Sequence, residues 1–101
     1  MIEKFVSPHP RPTEHQQEIL ECLIEECAEV IQRATKMQRF GIEETQPDQP
    51  YSNMQRLSIE IGDLMEIIGW ASSVGLVDSD IVKNQMPLKR EKLKKYLQTE
   101  Y

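Results

Sequence analysis

Two long stretches of the chain repeat apolar residues with the alternating three- and four-residue spacing of a heptad, and this pattern constrains the fold more than any other feature. The first stripe consists of Leu20, Leu23, Cys27, Val30, Ala34 and Met37. The second consists of Met54, Leu57, Ile61, Leu64, Ile68 and Ala71. The pattern predicts two long amphipathic helices that pack along these stripes, and therefore an all-α fold.

Residues typical of helix ends lie where the two stripes begin and stop. Thr13 with Gln16, and Ser52 with Gln55, have the spacing of a capping box, in which two side chains satisfy backbone N–H groups that the first turn leaves free. The expected stops are Gly41 and Gly75. The segment between the helices contains prolines among polar residues and is predicted to be a loop.

The two ends of the chain are predicted from their prolines. Residues 1–12 contain Pro8, Pro10 and Pro12, which predict an extended N-terminal arm, and residues 13–101 are then one helical domain. Asp78 or Ser79 is a candidate start for a third helix. Pro87 is expected to kink or restart the chain, leaving a fourth helical segment from residue 88 to about residue 97.

Helices one and two are apolar over a wider arc than their stripes. Two such helices and a short tail cannot cover all of this surface, so we expect a homo-oligomer of helical hairpins. A homodimer with a four-helix-bundle core is the simplest case, and a homotetramer is the alternative. The apolar residues outside the stripes are Ile19, Ile24, Ile31, Phe40, Ile59, Ile67, Trp70 and Val74.

Charge and hydropathy exclude several classes of protein. The net charge is −5 but is unevenly spread. Half of the lysines and arginines lie within residues 83–101, so the rest of the chain is strongly acidic. This balance argues against binding nucleic acid. No apolar run reaches membrane-spanning length and no signal-peptide pattern opens the sequence, so we expect a cytoplasmic protein without a membrane partner. Cys22 and Cys27 are expected to be buried, reduced thiols.

Two pairs of acids occupy equivalent positions of the two heptads. Glu26 and Glu29 on the first helix, and Glu60 and Asp63 on the second, are each spaced i,i+3, so each pair projects from one side of its helix. If the helices pack side by side, four carboxylates converge and repel one another unless they bind protons or cations. Oxygen ligands of this kind suit Mg²⁺, or Mn²⁺ as a substitute.

The residues that flank these acids suggest a groove with three zones if the helices are antiparallel. Apolar residues, Trp70 among them as a candidate contact for a base, would meet at one end, and the acids would meet in the middle. Basic and amide residues would meet at the other end, namely Arg33, Lys36, Asn53 and Arg56. The alternative is that the acids are solvated flank residues, or partners of Arg33 and Arg56 one turn away.

The acidic motifs and their flanks resemble a known family. Glu25-Glu26-Cys27-Ala28-Glu29, followed by Glu60-Ile61-Gly62-Asp63, resembles the ExxE…ExxD signature of the MazG-like all-α nucleoside triphosphate pyrophosphohydrolases. Arg39-Phe40-Gly41 and a lysine-rich ending resemble the phage and bacterial branch of that family. The resemblance covers about residues 19–97.

The resemblance implies an enzyme that cleaves the α–β phosphoanhydride of ribo- or deoxyribonucleoside triphosphates with Mg²⁺, giving a nucleoside monophosphate and pyrophosphate, and that assembles into dimers or tetramers. It implies metal ligands at Glu26, Glu29, Glu60 and Asp63, and a catalytic role for Glu25 in orienting a ligand or activating water. The candidates it implies for binding phosphates or sugar are Lys36, Arg39, Asn53, Lys89 and Lys92.

Two other functions remain open from the sequence. One is a related activity of the same superfamily, such as cleavage of dUTP or phosphoribosyl-ATP. The other is a non-catalytic oligomerisation module, in which the heptads make the assembly and the acids only solvate it. A di-iron carboxylate site is disfavoured because it requires Glu-x-x-His pairs, and neither His9 nor His15 follows a glutamate by three residues.

Overall fold

The computed structural model describes residues 9–99, and within this range the chain forms three helices. They are α1 (Glu14–Phe40), α2 (Asn53–Ser73) and α3 (Ser79–Tyr96). The all-helical fold is therefore confirmed for these residues. Three helices replace the four helical segments expected, and a four-helix-bundle core is not present in one chain. Residues 9–12 precede α1 without helical structure, and the rest of the predicted arm lies outside the described residues.

Both predicted capping boxes are present at the starts of α1 and α2. The Thr13 hydroxyl accepts from the Gln16 backbone N–H at 3.1 Å, and the Gln16 side chain accepts from the Thr13 backbone N–H at 2.9 Å. Ser52 and Gln55 repeat this exchange at 3.2 and 2.9 Å. Each box satisfies two backbone donors that the first turn cannot pair internally, which is why the helices begin there.

Glycines with positive φ follow the ends of both helices, near the predicted stops. Gly41 has φ +102° directly after α1. α2 ends at Ser73, and Gly75 with φ +82° accommodates a reversal in which the Leu76 N–H donates to the Ala71 carbonyl at 2.9 Å. The Gly75 N–H donates to the Ser72 carbonyl at 3.2 Å. This pair of bonds is a Schellman motif, in which the left-handed residue is most easily glycine.

α1 and α2 form an antiparallel hairpin that is joined by hydrogen bonds at both ends. The Gln16 side-chain amide, at the start of α1, donates to the Val74 carbonyl after α2 at 2.8 Å. At the other end the Asn53 amide donates to the Gly41 carbonyl at 2.8 Å. Because these bonds fix both ends, the relative rotation and register of the two helices are set along their full length.

The contact between α1 and α2 is displaced from the first predicted stripe toward its flank, although four of the six residues of that stripe are half-buried. Cys27 and Ala34, both in the first stripe, are exposed, whereas Ile19 and Arg33 from the flank are buried. Cys22 is also exposed, so the prediction of two buried thiols was wrong, although both are free. A two-helix hairpin covers one narrow strip of each helix, and the hydrogen bonds at its ends select which strip that is.

α3 is one helix that includes Pro87, so the prediction that a separate fourth helical segment begins after this proline was wrong. A proline in a helix removes one N–H and typically costs about 3 kcal/mol. None of the residues of α3 is buried, so water can solvate the carbonyl that loses its donor. The Asp78 side chain accepts from the backbone N–H groups of Asp80 and Ile81 at 2.9 and 3.2 Å and caps the start of this helix.

The hydrophobic core of the described chain is very small. Its buried apolar residues are Ile19 and Ala71, and three polar residues are buried as well: Arg33, Ser52 and Asn53. Many large apolar side chains are exposed instead, including Ile24 and Ile31 on α1, each 67% accessible. No helix in residues 9–99 combines the length and the apolar character needed to cross a membrane.

Candidate metal centre

The hairpin brings the acids of α1 and α2 together at its middle. One carboxylate oxygen from each of Glu26, Glu60 and Asp63 lies within 4.8 Å of the other two. Glu29 is not one of these three, but its side chain lies close enough to that of Glu60 to raise the pKa of Glu60. The four residues are called the acidic cluster below. Their convergence follows from antiparallel packing of two helices that each carry a pair of acids at i,i+3.

The acidic cluster perturbs the protonation of two of its members. The hydrogen bond with Glu29, together with burial and the negative charges of Glu29, Asp63 and Glu26, raises the pKa of Glu60 to about 7. Burial and the charges of Glu29, Asp63 and Glu25 raise the pKa of Glu26 above its ordinary value. Two carboxylates are both acceptors, so a bond between Glu29 and Glu60 needs a proton on one of them.

Two buried oxygens in the acidic cluster have no hydrogen-bond donor. They are Oε2 of Glu26 and Oε2 of Glu60, which lie on different helices. A buried acceptor without a donor costs free energy, and a carboxylate costs more than a neutral group. A hard divalent cation satisfies such oxygens, and carboxylates are the ligands that Mg²⁺ and Mn²⁺ prefer. The residues present therefore fit the expected metal.

Basic side chains near the acidic cluster do not neutralise it. Within residues 9–99 the salt bridge that forms is between Lys94 and Glu91 of α3, at 3.1 Å. Arg33 follows Glu29 by one helical turn, and Arg56 precedes Glu60 by one turn, yet neither is ion-paired to a carboxylate there. In this hairpin the acids are therefore not ion-paired with the arginines one helical turn away.

Asn53 is placed where it holds the loop rather than facing the acidic cluster. Asn53 is 2% exposed, and its side-chain amide donates to the Gly41 carbonyl at 2.8 Å and to Oε1 of Glu44 at 3.2 Å. The backbone N–H groups of Asn53 and Met54 donate to the Glu44 and Ile42 carbonyls. These bonds use the donors of the first turn of α2, so the loop covers the start of that helix.

The other predicted substrate-binding residues are spread over the surface. Lys36 is half-buried on α1, and the exposed Arg39 lies with its guanidinium 5.2 Å from the centre of the Phe40 ring. Trp70 is half-exposed, and its indole N–H donates to Oε1 of Glu66 at 3.2 Å. Lys89 and Lys92 are exposed on α3, and Glu25 is exposed on α1 beside the acidic cluster.

Sequence reasoning did not single out Arg33 as a buried residue. It is 8% exposed, and its Nη1 is buried without a partner. Its position seven residues after Glu26, on the same face of α1, is the signal that could have identified it. The sequence placed Arg33 among the basic residues beside the acids but did not predict its burial, because a charged residue beside an apolar stripe usually lies in water.

Comparison with known proteins identifies no relative. No family model matches the chain, and neither a curated protein nor a solved structure matches it.

Proposed function

We propose that the chain is a Mg²⁺-dependent nucleoside triphosphate pyrophosphohydrolase that cleaves the α–β phosphoanhydride to give a nucleoside monophosphate and pyrophosphate. The observation that supports this most directly is the acidic cluster, in which oxygens of Glu26, Glu60 and Asp63 lie within 4.8 Å of one another. Buried oxygens of Glu26 and Glu60 without donors add to it. The motif resemblance suggests the reaction, and the convergence of the acids supports a cation beside them.

In this proposal the acidic residues have two roles, binding the cation and activating the attacking water. Glu26, Glu60 and Asp63 would hold the cation, and Glu29 beside Glu60 could add a further oxygen. Mg²⁺ there would supply positive charge for the phosphate oxygens and the leaving pyrophosphate. Glu29 or Glu25 orients the attacking water and accepts its proton, a role for a carboxylate that coordination does not fully occupy.

The exposed apolar surface supports assembly as part of the same proposal. On α1 the exposed residues Ile24, Cys27, Ile31 and Ala34 follow one another at three- and four-residue spacing, on a strip that α2 does not cover. A second hairpin packed on this strip would complete a four-helix bundle. The apolar area buried would stabilise the assembly by roughly 25 cal/mol per Å². We propose a homodimer, or a homotetramer built from it.

Assembly is tested by sedimentation of the purified chain and of Ile24→Glu/Ile31→Glu. The wild type is expected to sediment as a dimer or tetramer, and the double variant as a smaller species, because two charges in the covered strip lose solvation. Glu21→Gln, an exposed position on α1, is the matched control. A wild-type monomer at all protein concentrations contradicts the assembly.

Activity is tested by screening pyrophosphate release across the ribo- and deoxyribonucleoside triphosphates, with and without Mg²⁺. A nucleoside monophosphate together with pyrophosphate identifies α–β cleavage. A nucleoside diphosphate together with phosphate identifies β–γ cleavage and contradicts the proposed reaction. Glu29→Ala and Asp63→Ala are expected to abolish turnover and keep the helical circular-dichroism signal, while Glu21→Ala keeps both. Mg²⁺-dependent hydrolysis that persists in either cluster variant refutes the assignment.

A further inference from the structure

Arg33 is a buried cation without a partner. The residue is 8% exposed, and its Nη1 has no hydrogen-bond partner. No hydrogen bond or ion pair joins its side chain to another residue within 9–99. An arginine retained for structure normally donates to carbonyls or carboxylates, because an unpaired buried charge destabilises the fold.

The register of the hairpin places a second guanidinium at the same level. Carboxylate oxygens of Glu26 on α1 and Asp63 on α2 lie within 4.8 Å of each other across the two helices. Two turns toward the loop from this pair are residue 33 on α1 and residue 56 on α2, because antiparallel helices advance in opposite directions. Arg56 is half-buried there, and its Nη1 donates to Oε1 of Gln46 at 3.3 Å.

Positive and negative charge are therefore separated along the hairpin. The acids meet at its middle, and the two arginines lie closer to the loop, unpaired with those acids. Without a ligand, like charges repel one another both in the acidic cluster and between the two arginines. A ligand that brings a divalent cation to the acids and an anion to the arginines would offset both repulsions.

We propose that Arg33, assisted by Arg56, binds the pyrophosphate portion of the substrate, and that the nucleotide lies with its phosphates toward the loop and its base toward the end that carries Ile19 and Ile67. This rests on the proposed function. The planar guanidinium presents a fork of N–H donors that matches phosphate oxygens, and it keeps its charge at any physiological pH. Phosphate groups held by the acidic cluster through a cation would leave the outer phosphate beside Arg33.

The test measures binding of inorganic pyrophosphate by calorimetry, with and without Mg²⁺, to the wild type, Arg33→Met and Arg90→Met. Arg90 is exposed on α3 and provides the matched loss of one positive charge. Arg33→Met is expected to weaken binding by about ten-fold or more, and Arg90→Met by less than about two-fold. Arg33→Lys is expected to recover only part of the affinity, since an ammonium lacks the fork.

Thermal unfolding without ligand separates binding from a structural role. Replacing an unpaired buried guanidinium with methionine is expected to leave the melting temperature unchanged or to raise it. A lower melting temperature with pyrophosphate affinity unchanged shows that Arg33 only supports the fold and overturns the inference. If Arg33→Met does not fold, Arg56→Gln is measured instead, and unchanged affinity in that variant overturns the inference equally.

The same proteins distinguish this inference from the proposed function. If the wild type binds pyrophosphate through Arg33 but cleaves no nucleoside triphosphate, the hydrolase proposal fails and the anion site stands. If the wild type hydrolyses nucleotides and Arg33→Met keeps both its KM and its pyrophosphate affinity, only the anion site fails. A wild type that binds no pyrophosphate with or without Mg²⁺ overturns the anion site.

Discussion

The side chain of Glu29 on α1 lies beside that of Glu60 on α2 across the hairpin, close enough to raise the pKa of Glu60. Two acids in contact mean that one of them keeps its proton to unusually high pH, and here the pKa of Glu60 is raised to about 7. The same register brings oxygens of Glu26 and Asp63 within 4.8 Å of each other. Proton binding and cation binding therefore compete for one small group of oxygens.

The pH dependence of stability follows from Glu60. The pKa of this carboxyl rises from 4.5 to about 7 on folding, so the folded protein binds its proton more tightly than the unfolded chain does. The resulting stabilisation is fully present below about pH 4.5 and is lost as the pH rises through about 7. In EDTA, the melting temperature is expected to fall between about pH 5 and pH 8.

Glu60→Gln is expected to flatten this profile, because glutamine does not titrate. Glu21→Gln, at an exposed position outside the acidic cluster, should reproduce the wild-type slope. A melting temperature that climbs with pH in the wild type would show that the two carboxyls are not in contact in solution.

Divalent cations should reverse the pH trend. Because Mg²⁺ requires deprotonated carboxylates, its stabilising effect is expected to be larger at about pH 8 than at about pH 5. A ligand at one hundred times its Kd adds about 2.7 kcal/mol to the free energy of unfolding. Thermal shift titrations with Mg²⁺ and Mn²⁺ measure this effect, and Asp63→Asn should weaken it. Equal shifts in Asp63→Asn and the wild type would remove Asp63 from the cation site.

Asn53→Ala should destabilise the fold. The amide of Asn53 is buried and donates to the Gly41 carbonyl and the Glu44 carboxylate. Leaving these acceptors without their donor is expected to lower the free energy of unfolding by about 1–3 kcal/mol. Urea titration followed by circular dichroism provides the measurement, with Gln49→Ala in the exposed loop as control. Unchanged stability together with a raised KM would instead favour the substrate-binding role predicted from the sequence.

Ala71 is completely buried on α2, and we expect it to limit how closely α1 and α2 approach. It is 0% exposed, so a larger side chain there must push the helices apart. Ala71→Leu is expected to cost about 1–3 kcal/mol through overpacking. It should also raise the KM for Mg²⁺, because the separation of the acids on the two helices depends on that spacing. Ala28→Leu, at an exposed position on α1, is the comparison. If Ala71→Leu is as stable as the wild type, α1 and α2 do not meet at this residue in solution.

The helix starts and the acid pairs could be predicted because they depend on neighbours in the chain. Thr13 and Ser52 each bond a residue three positions away, and the i,i+3 spacing alone puts two acids on one side of a helix. Local geometry of this kind does not require knowledge of the fold. The continuous helix through Pro87 was missed because exposure, which lets water solvate the free carbonyl, is not a local property.

The order of the helices, their capping residues and the presence of two acid pairs on single faces were determined by the sequence alone, since each depends on contacts within a few residues. The rotation of α1 against α2 was decided only by tertiary structure. The Gln16–Val74 and Asn53–Gly41 bonds connect distant parts of the chain, and they bury Ile19 and Arg33 in place of the heptad residues Cys27 and Ala34. A heptad repeat shows which residues prefer to be covered, but only contacts between helices decide which of them a given partner covers.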